Sequence, residues 1–430
     1  MPVAPVLEPV STRDGTDVYR IPIRNTSAEI LPGIQTPLLG FAGQFAGPTI
    51  RARTGRPTQL TVTNEIDVPV NVHLHGGRTP ADSDGHPMDV ILPGKSRLYT
   101  YPNQQQGTTL WYHDHNMDTE AEHVYRGLAG AYIIEDPCEE YLGLPRGDYD
   151  VPIMLRDIQF DANGDLVVFD DVRKRTTILA NGVSRPYFPV AARKYRFRLI
   201  NTANDRTFQL SLSAGQLTQI GTDGGLLPAP VQVRTLELSS AERADVVIDF
   251  SRFPVGTKIE LSDPVAGAIL RFDVTRRVLF DFSRVPDKLR ELPPMPRATV
   301  ERDVNLSFDF SQLPSGGPVL GEINGKPYDD NRIDFTIKRG TTEIWTITST
   351  DPPGVRHTFH MHLVQFRVLD RNGKPPLQSD AGLKDTVYLT AGETVRVQAT
   401  FVPYTGRYLY HCHFLEHAMD GMMAQMNIVP

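Results

Sequence analysis

The sequence predicts an all-β protein made of sandwiches with Greek-key connections, and three observations carry that reading. The first is alternation. Val395, Val397, Ala399 and Phe401 alternate with Thr394, Arg396, Gln398 and Thr400, and Tyr195, Phe197 and Leu199 alternate with Lys194, Arg196 and Arg198. Leu60 and Val62 alternate with Thr61 and Thr63 in the same way. Successive strand residues point to opposite faces, so each run predicts a strand with one buried and one wet face. The second is punctuation: 34 Gly and 35 Pro are scattered between the runs, as turns between many short strands require. The third is the scarcity of helical patterns, the best short candidate being the acidic stretch 118–123.

In chain order, 430 residues are too many for one hydrophobic core and predict several domains. Two shifts of composition suggest where they divide. Residues 135–145 follow a strand-like run ending at Ile134, and residues 285–297 hold Pro286, Pro293, Pro294 and Pro296. The expected pieces are therefore 1–138, 146–284 and 298–430, each of sandwich size. The first and third each carry two histidine clusters, whereas the middle piece has no histidine.

Composition excludes some functions. A net charge of −7 with 22% charged residues lacks the basic footprint of a nucleic-acid binder. No apolar run is long enough to cross a bilayer. The N-terminal MPVAPVLEPV lacks a charged region followed by an apolar one and does not read as a signal peptide. That leaves a cytoplasmic protein or one exported with its leader already removed. The oligomeric state is not legible. Two cysteines, Cys138 and Cys412, are a poor disulfide framework, so the fold rests on its own core. Cys138 reads as a small buried hydrophobe; the neighbours of Cys412 say otherwise.

Eight of the twelve histidines fall in four His-x-His pairs: His73/His75, His113/His115, His360/His362 and His411/His413. Random placement would give roughly 0.3 such pairs in a chain of this length. On a strand, residues two apart share a face, so each pair offers two imidazoles side by side. Two pairs from each end of the chain can enclose one multinuclear metal site where the first and third pieces meet.

On the same reasoning Cys412, between His411 and His413, projects to the opposite face and serves a different metal. His417 and Met422 follow it, and His357 precedes His360 by an odd offset that takes it off the face shared by His360 and His362. Two His, one Cys and a distant Met are the ligand set of a blue-copper electron-transfer site, while imidazole-only ligation suits copper that binds and reduces dioxygen. Zinc competes for His-rich sites but carries no electrons. Cys412 is bonded to both imidazoles of the last pair, which links the two sites.

The motifs HLHG at 73–76, WYHDH at 111–115, HTFHMH at 357–362 and HCHFLEHAMDGMM at 411–423 resemble those of the multicopper oxidases, and the resemblance spans the chain. Stretches beginning at Tyr101, Arg193 and Gly221 are most similar to the branch holding bacterial spore-coat laccase, bilirubin oxidase and phenoxazinone synthase. The resemblance implies three cupredoxin-like domains and four copper ions. It places His73 and His360 on the type 2 copper. His75, His113, His115, His362, His411 and His413 fall to the type 3 pair. Cys412, His357 and His417 fall to the type 1 copper, with Met422 axial. The implied partners are a small aromatic reductant and dioxygen, and a spore-associated location joins the alternatives. His86 and His123 are left over and read as loop or surface residues.

Two departures from the family pattern matter. Related sequences often place an acid directly after the second type 1 histidine, where this chain has Ala418. Asp84 matches an acid that the family places near the trinuclear cluster, although a turn-forming Asp before Gly85 is the other reading. The chain also looks shorter than its relatives before His73 and in residues 372–385, which suggests a more open type 1 site. A laccase-like role is expected. The rivals are a cuprous or ferrous metallo-oxidase, whose methionine-rich block is missing here, and a copper-free cupredoxin scaffold, whose motifs should be degraded.

Overall fold

Thr394–Thr400 is a strand in which burial alternates at every residue, and Thr58–Asn64 alternates likewise. In this computed structural model, which describes residues 1–312 and 317–430, such strands assemble into six sheets. They pair into three successive sandwiches, each closed around its own apolar cluster: Tyr19 to Ile134, Val151 to Val274 and Val304 to Ile428.

One topology recurs. Every sandwich joins mostly antiparallel strands but has one parallel pairing in each sheet. In the first these are Thr16–Glu29 with Thr58–Asn64 and Gly47–Arg53 with Ala129–Glu135. In the second they are Asp150–Ile158 with Lys194–Asn201 and Tyr187–Ala192 with Gly267–Arg277. In the third they are Val300–Asp309 with Thr342–Ser349 and Phe335–Lys338 with Met423–Val429. Parallel neighbours cannot be joined by a tight hairpin, so the chain must cross between sheets, as Greek-key connections do.

The strand Lys194–Asn201 departs from its expected wet face. Arg196 and Arg198 are buried. Arg198 Nε donates to Asp150 Oδ1 at 2.7 Å and its Nη1 to Thr109 Oγ1 at 2.9 Å, while Arg196 pairs with Asp245 and Glu139. The polar face of this strand is turned not to water but to the first sandwich, whose Thr109 it meets. Alternation predicts which residues share a face, not what lies against it.

The helix expected at 118–123 forms two residues later, at Glu120–Arg126. It ends at Gly127, whose φ of +127° suits only glycine and whose missing Cβ would meet Leu39 O at 2.4 Å. The helix packs on Leu415–Met419, a one-turn helix just after Cys412, with Ala121 and Leu415 in one buried cluster. Residues 285–297 carry no strand, and Pro137–Leu142 is a short 3₁₀ turn. No helix of the described residues is long and apolar enough to cross a membrane.

Candidate metal centres

Strand pairing puts the histidines together. His73–His75 is a three-residue strand antiparallel to Thr108–His113, with His73 opposite His113. In the third sandwich Arg356–Met361 runs antiparallel to Gly406–Cys412, with His360 opposite His411 and Phe359 opposite Cys412. The alternation therefore sends imidazoles to one side and the thiol to the other, into the core with Phe359.

The imidazole side of both sandwiches forms one chamber. His73 stacks on His362 with ring centroids 3.9 Å apart, and His75 on His360 at 3.8 Å. His113 meets His413 at 5.3 Å, and His115 meets His411 at 5.2 Å. All eight rings are buried. Burial first, and neighbouring imidazoles in several of them, hold all eight below the usual histidine range, His113 at about 3 and His411 at about 4. They are neutral at neutral pH, the form that ligates metals.

Outer contacts fix which nitrogen of six of the rings faces inward. His73 Nδ1 donates to Asp84 O at 2.5 Å, His113 Nδ1 to Asp114 O at 2.7 Å and His360 Nδ1 to Asp385 O at 2.8 Å. His362 Nδ1 lies 2.7 Å from Asp84 Oδ2, and His411 Nδ1 lies 3.0 Å from Cys412 O. His75 is turned the other way, with Nε2 held by Asp385 Oδ1 and Thr386 Oγ1 at 3.1 Å. The opposite atoms, Nε2 of His73, His113 and His360 and Nδ1 of His75, are buried without a partner. Buried polar atoms are rarely left so. Converging orphaned nitrogens on neutral rings, with their outer nitrogens anchored, fit metal ions. Sets such as His115, His362 and His411 have donor atoms within 4.8 Å of one another.

The second centre lies within the third sandwich. Cys412 Sγ is 3.7 Å from His357 Nδ1 and 3.5 Å from His417 Nδ1. Asp351 Oδ2 holds His357 Nε2 at 2.8 Å, turning Nδ1 to the sulfur. Burial pushes the thiol up to about 12, so a thiolate here requires a cation beside it. Met422 is buried in the same cluster, and its N–H donates to His417 O at 3.0 Å. Its close neighbour Gly321 leaves no room for a side chain, since a Cβ there would lie 2.8 Å from that of Met422. His417 is half-buried and opens on a cleft of about 440 Å³ lined by Phe308, Phe310, Val355, Arg356 and Asp205. None of the described lining comes from before His73 or from residues 372–385.

The two leftover histidines are not surface residues. His86 is buried where the first and third sandwiches meet, its Nε2 3.0 Å from Gln425 Oε1. His123 turns the inner face of its helix to Asp114 Oδ2 at 3.1 Å. Cys138 is exposed, contrary to the buried reading, because it sits on the 3₁₀ turn between sandwiches. Asp84 stands both at a turn and beside the chamber. It ends a 3₁₀ turn, and its buried carboxyl contacts His362 and Thr79. Burial raises that carboxyl to about 6.

Sequence reasoning passed over the groups behind the chamber. Asp385 touches His75, and Arg243 of the middle sandwich pairs with both of its oxygens while Asp223 accepts from the Arg243 N–H at 2.8 Å. Trp111 stacks on His113 at 4.2 Å. Asp223, Arg243 and Asp385 lie far apart in sequence and show no period that would find them, whereas Trp111 stands in the motif at 111–115.

Family models described as multicopper oxidase match residues 22–139, 162–257 and 293–430. The chain is 36% identical to a laccase of Bacillus subtilis, over all of this chain and 97% of that protein. It is 35% identical to a bilirubin oxidase of Albifimbria verrucaria, over 99% of this chain and 80% of that protein. The crystal structure of a laccase from Pediococcus acidilactici superposes with a TM-score of 0.93 at 31% identity, covering all of this chain and 93% of that one.

Proposed function

The chain belongs to the multicopper oxidase family, and on that premise we propose a laccase-like enzyme that oxidises phenolic or related aromatic substrates one electron at a time and reduces dioxygen to water. The observation that carries this reading is the placement of Cys412. Its sulfur faces two imidazole nitrogens on one side of a strand, while the residues bonded to it, His411 and His413, face the chamber on the other.

Four coppers are assigned. Cys412, His357, His417 and Met422 would hold the type 1 ion; His73 and His360 would hold the type 2 ion. His75, His113, His115, His362, His411 and His413 would hold the type 3 pair. Bound copper supplies the one-electron chemistry that these side chains lack. The chain does the rest. Asp351 orients His357, and His417 presents its half-buried ring to a reductant in the cleft. Phe308 and Phe310 give that cleft apolar faces suited to an aromatic ring. The backbone on either side of Cys412 is a short covalent path between the two sites. Reducing dioxygen to two waters consumes four protons, and Asp84, in contact with His362, is the acid assigned to relay them.

Oxidation of cuprous or ferrous ions is the alternative. The described cleft lining contains no methionine and sets Arg173 and Arg356 beside Asp205 and Asp420, a mixed charge poorly suited to collecting cations. A copper-free scaffold would not need eight buried imidazoles, six of them anchored by a ring nitrogen. The test compares turnover of a simple phenol, bilirubin and cuprous ion by copper-loaded protein. The organic substrates should lead by more than about tenfold, a difference of 1.4 kcal/mol in barrier. Cuprous ion in first place would overturn the substrate class.

A further inference from the structure

His115 and His413 are the chamber imidazoles whose two ring nitrogens are both buried without a hydrogen-bond partner. The six others have a ring nitrogen anchored by the contacts described above. In His115 both Nδ1 and Nε2 are buried without a partner. Yet its donor stands within 4.8 Å of those of His362 and His411. The Nδ1 atoms of those two rings are engaged, and their Nε2 atoms face each other 3.2 Å apart. A third ligand for that pair must turn one nitrogen inward and give its other to an acceptor.

Glu120 is placed to be that acceptor. Its Oε2 lies 3.8 Å from His115 Nδ1 and its Oε1 3.7 Å from His113 Nδ1. The side chain is 1% exposed, Oε1 has no partner, and burial pushes the carboxyl well above its usual range. His113 Nδ1 is committed to Asp114 O, which leaves His115 to be satisfied. The backbone under Glu120 is firmly held. Its N–H donates to Asn116 O at 2.9 Å, and the carbonyl of Ala121 accepts from Asn204 Nδ2 at 2.8 Å. A small turn of the unrestrained His115 ring brings 3.8 Å to hydrogen-bond length.

We propose that Glu120 is the positioning residue of His115: its side-chain oxygen accepts the Nδ1–H of His115 and so commits Nε2 to the copper shared with His362 and His411. The inference rests on the assignment of His115 as a copper ligand. It also gives the helix Glu120–Arg126 a task in the metal centre that its one-turn neighbour, bearing Ala418, does not perform.

The experiment reconstitutes apo full-length protein with copper and reads metal affinity by chelator competition, together with the amount of EPR-detectable copper. Glu120→Met keeps the bulk and removes the acceptor; Glu120→Gln keeps an acceptor oxygen. Losing such an outer partner weakens metal binding about ten- to hundredfold. Glu120→Met should therefore lose affinity at one copper by that factor and gain EPR signal as its partner ion becomes uncoupled. Glu120→Gln should stay close to wild type. Wild-type affinity and EPR in Glu120→Met would overturn the proposal, as would equal damage in Glu120→Gln. His115→Ala separates the two levels. If it keeps all its copper, the ligand assignment itself fails; if it loses copper while Glu120→Met does not, only the role of Glu120 fails. Should Glu120→Met not fold, Glu120→Asp, which withdraws the carboxylate by one methylene, is expected to show the same loss.

Discussion

The Cys412 centre and the imidazole chamber lie on opposite faces of one strand, yet they are built on different plans. Cys412, His357, His417 and Met422 all come from the third sandwich, within 66 residues of chain. The chamber takes half its rings from the first sandwich and half from the third, and its rear wall, Arg243 with Asp223, from the second. One centre depends on a single core; the other exists only while three cores are docked. The lesson is that damage to docking and damage to a ligand should be separable.

The largest expected effect breaks the Cys412 side alone. Cys412→Ser should abolish the blue colour and all substrate oxidation while most of the chamber copper stays bound. Metal analysis beside the visible spectrum checks this, and a mutant that kept its blue band would refute the type 1 assignment.

Next in size is a break in the chamber's rear wall. Arg243 and Asp385 are both fully buried, and each needs the other's charge. Arg243→Met strands a buried carboxylate, which costs about 3–5 kcal/mol. Chemical denaturation should register that loss. The Cys412 band should survive in whatever fraction stays folded, and simultaneous loss of the band would mean that the centres are less independent than their construction suggests.

Asp84→Asn should have a smaller, kinetic effect. Burial raises the Asp84 carboxyl to about 6, so its protonated, donating form dominates below that value and fades above it. Reoxidation by dioxygen should therefore slow in wild type as pH rises through about 6, and the mutant should be slower with that inflection gone. Anaerobic bleaching of the blue band should be unchanged. A stopped-flow trace with equal return rates in both proteins would leave Asp84 only its turn.

The smallest effect distinguishes two neighbours. Met422 lies in the core cluster with Cys412, whereas Met423 packs with Leu409 and Ala418 in a separate one. An axial thioether tunes potential more than it holds metal. Met422→Leu should keep the blue copper and raise its potential; Met423→Leu should do little. A redox titration giving the reverse order would show that the wrong methionine was assigned.

How much of this was legible beforehand follows from the range of each interaction. The strands around His73, His360 and Cys412 were legible because alternation is local, and with them the split between imidazoles and thiol. The burial of Arg196, Arg198 and His86 was not, since each is covered by a segment distant in sequence, nor was that of His123, whose ring meets Asp114 only once the helix has formed. Glu120 was hidden for the same reason. It sits in an acidic stretch that reads as solvated until the helix is seen packed against the chamber. Asp385 and Arg243 come from different sandwiches and meet only after docking.

The strand Gly406–Cys412 constrains how such a gene can change. Substitutions can be absorbed there one at a time, but a change of length cannot. Inserting or deleting a single codon ahead of Cys412 would exchange the two faces, sending the thiol into the chamber and the imidazoles into the apolar core. Loops on either side are free to lengthen or shorten over evolutionary time, while this segment is expected to descend with its residue count intact.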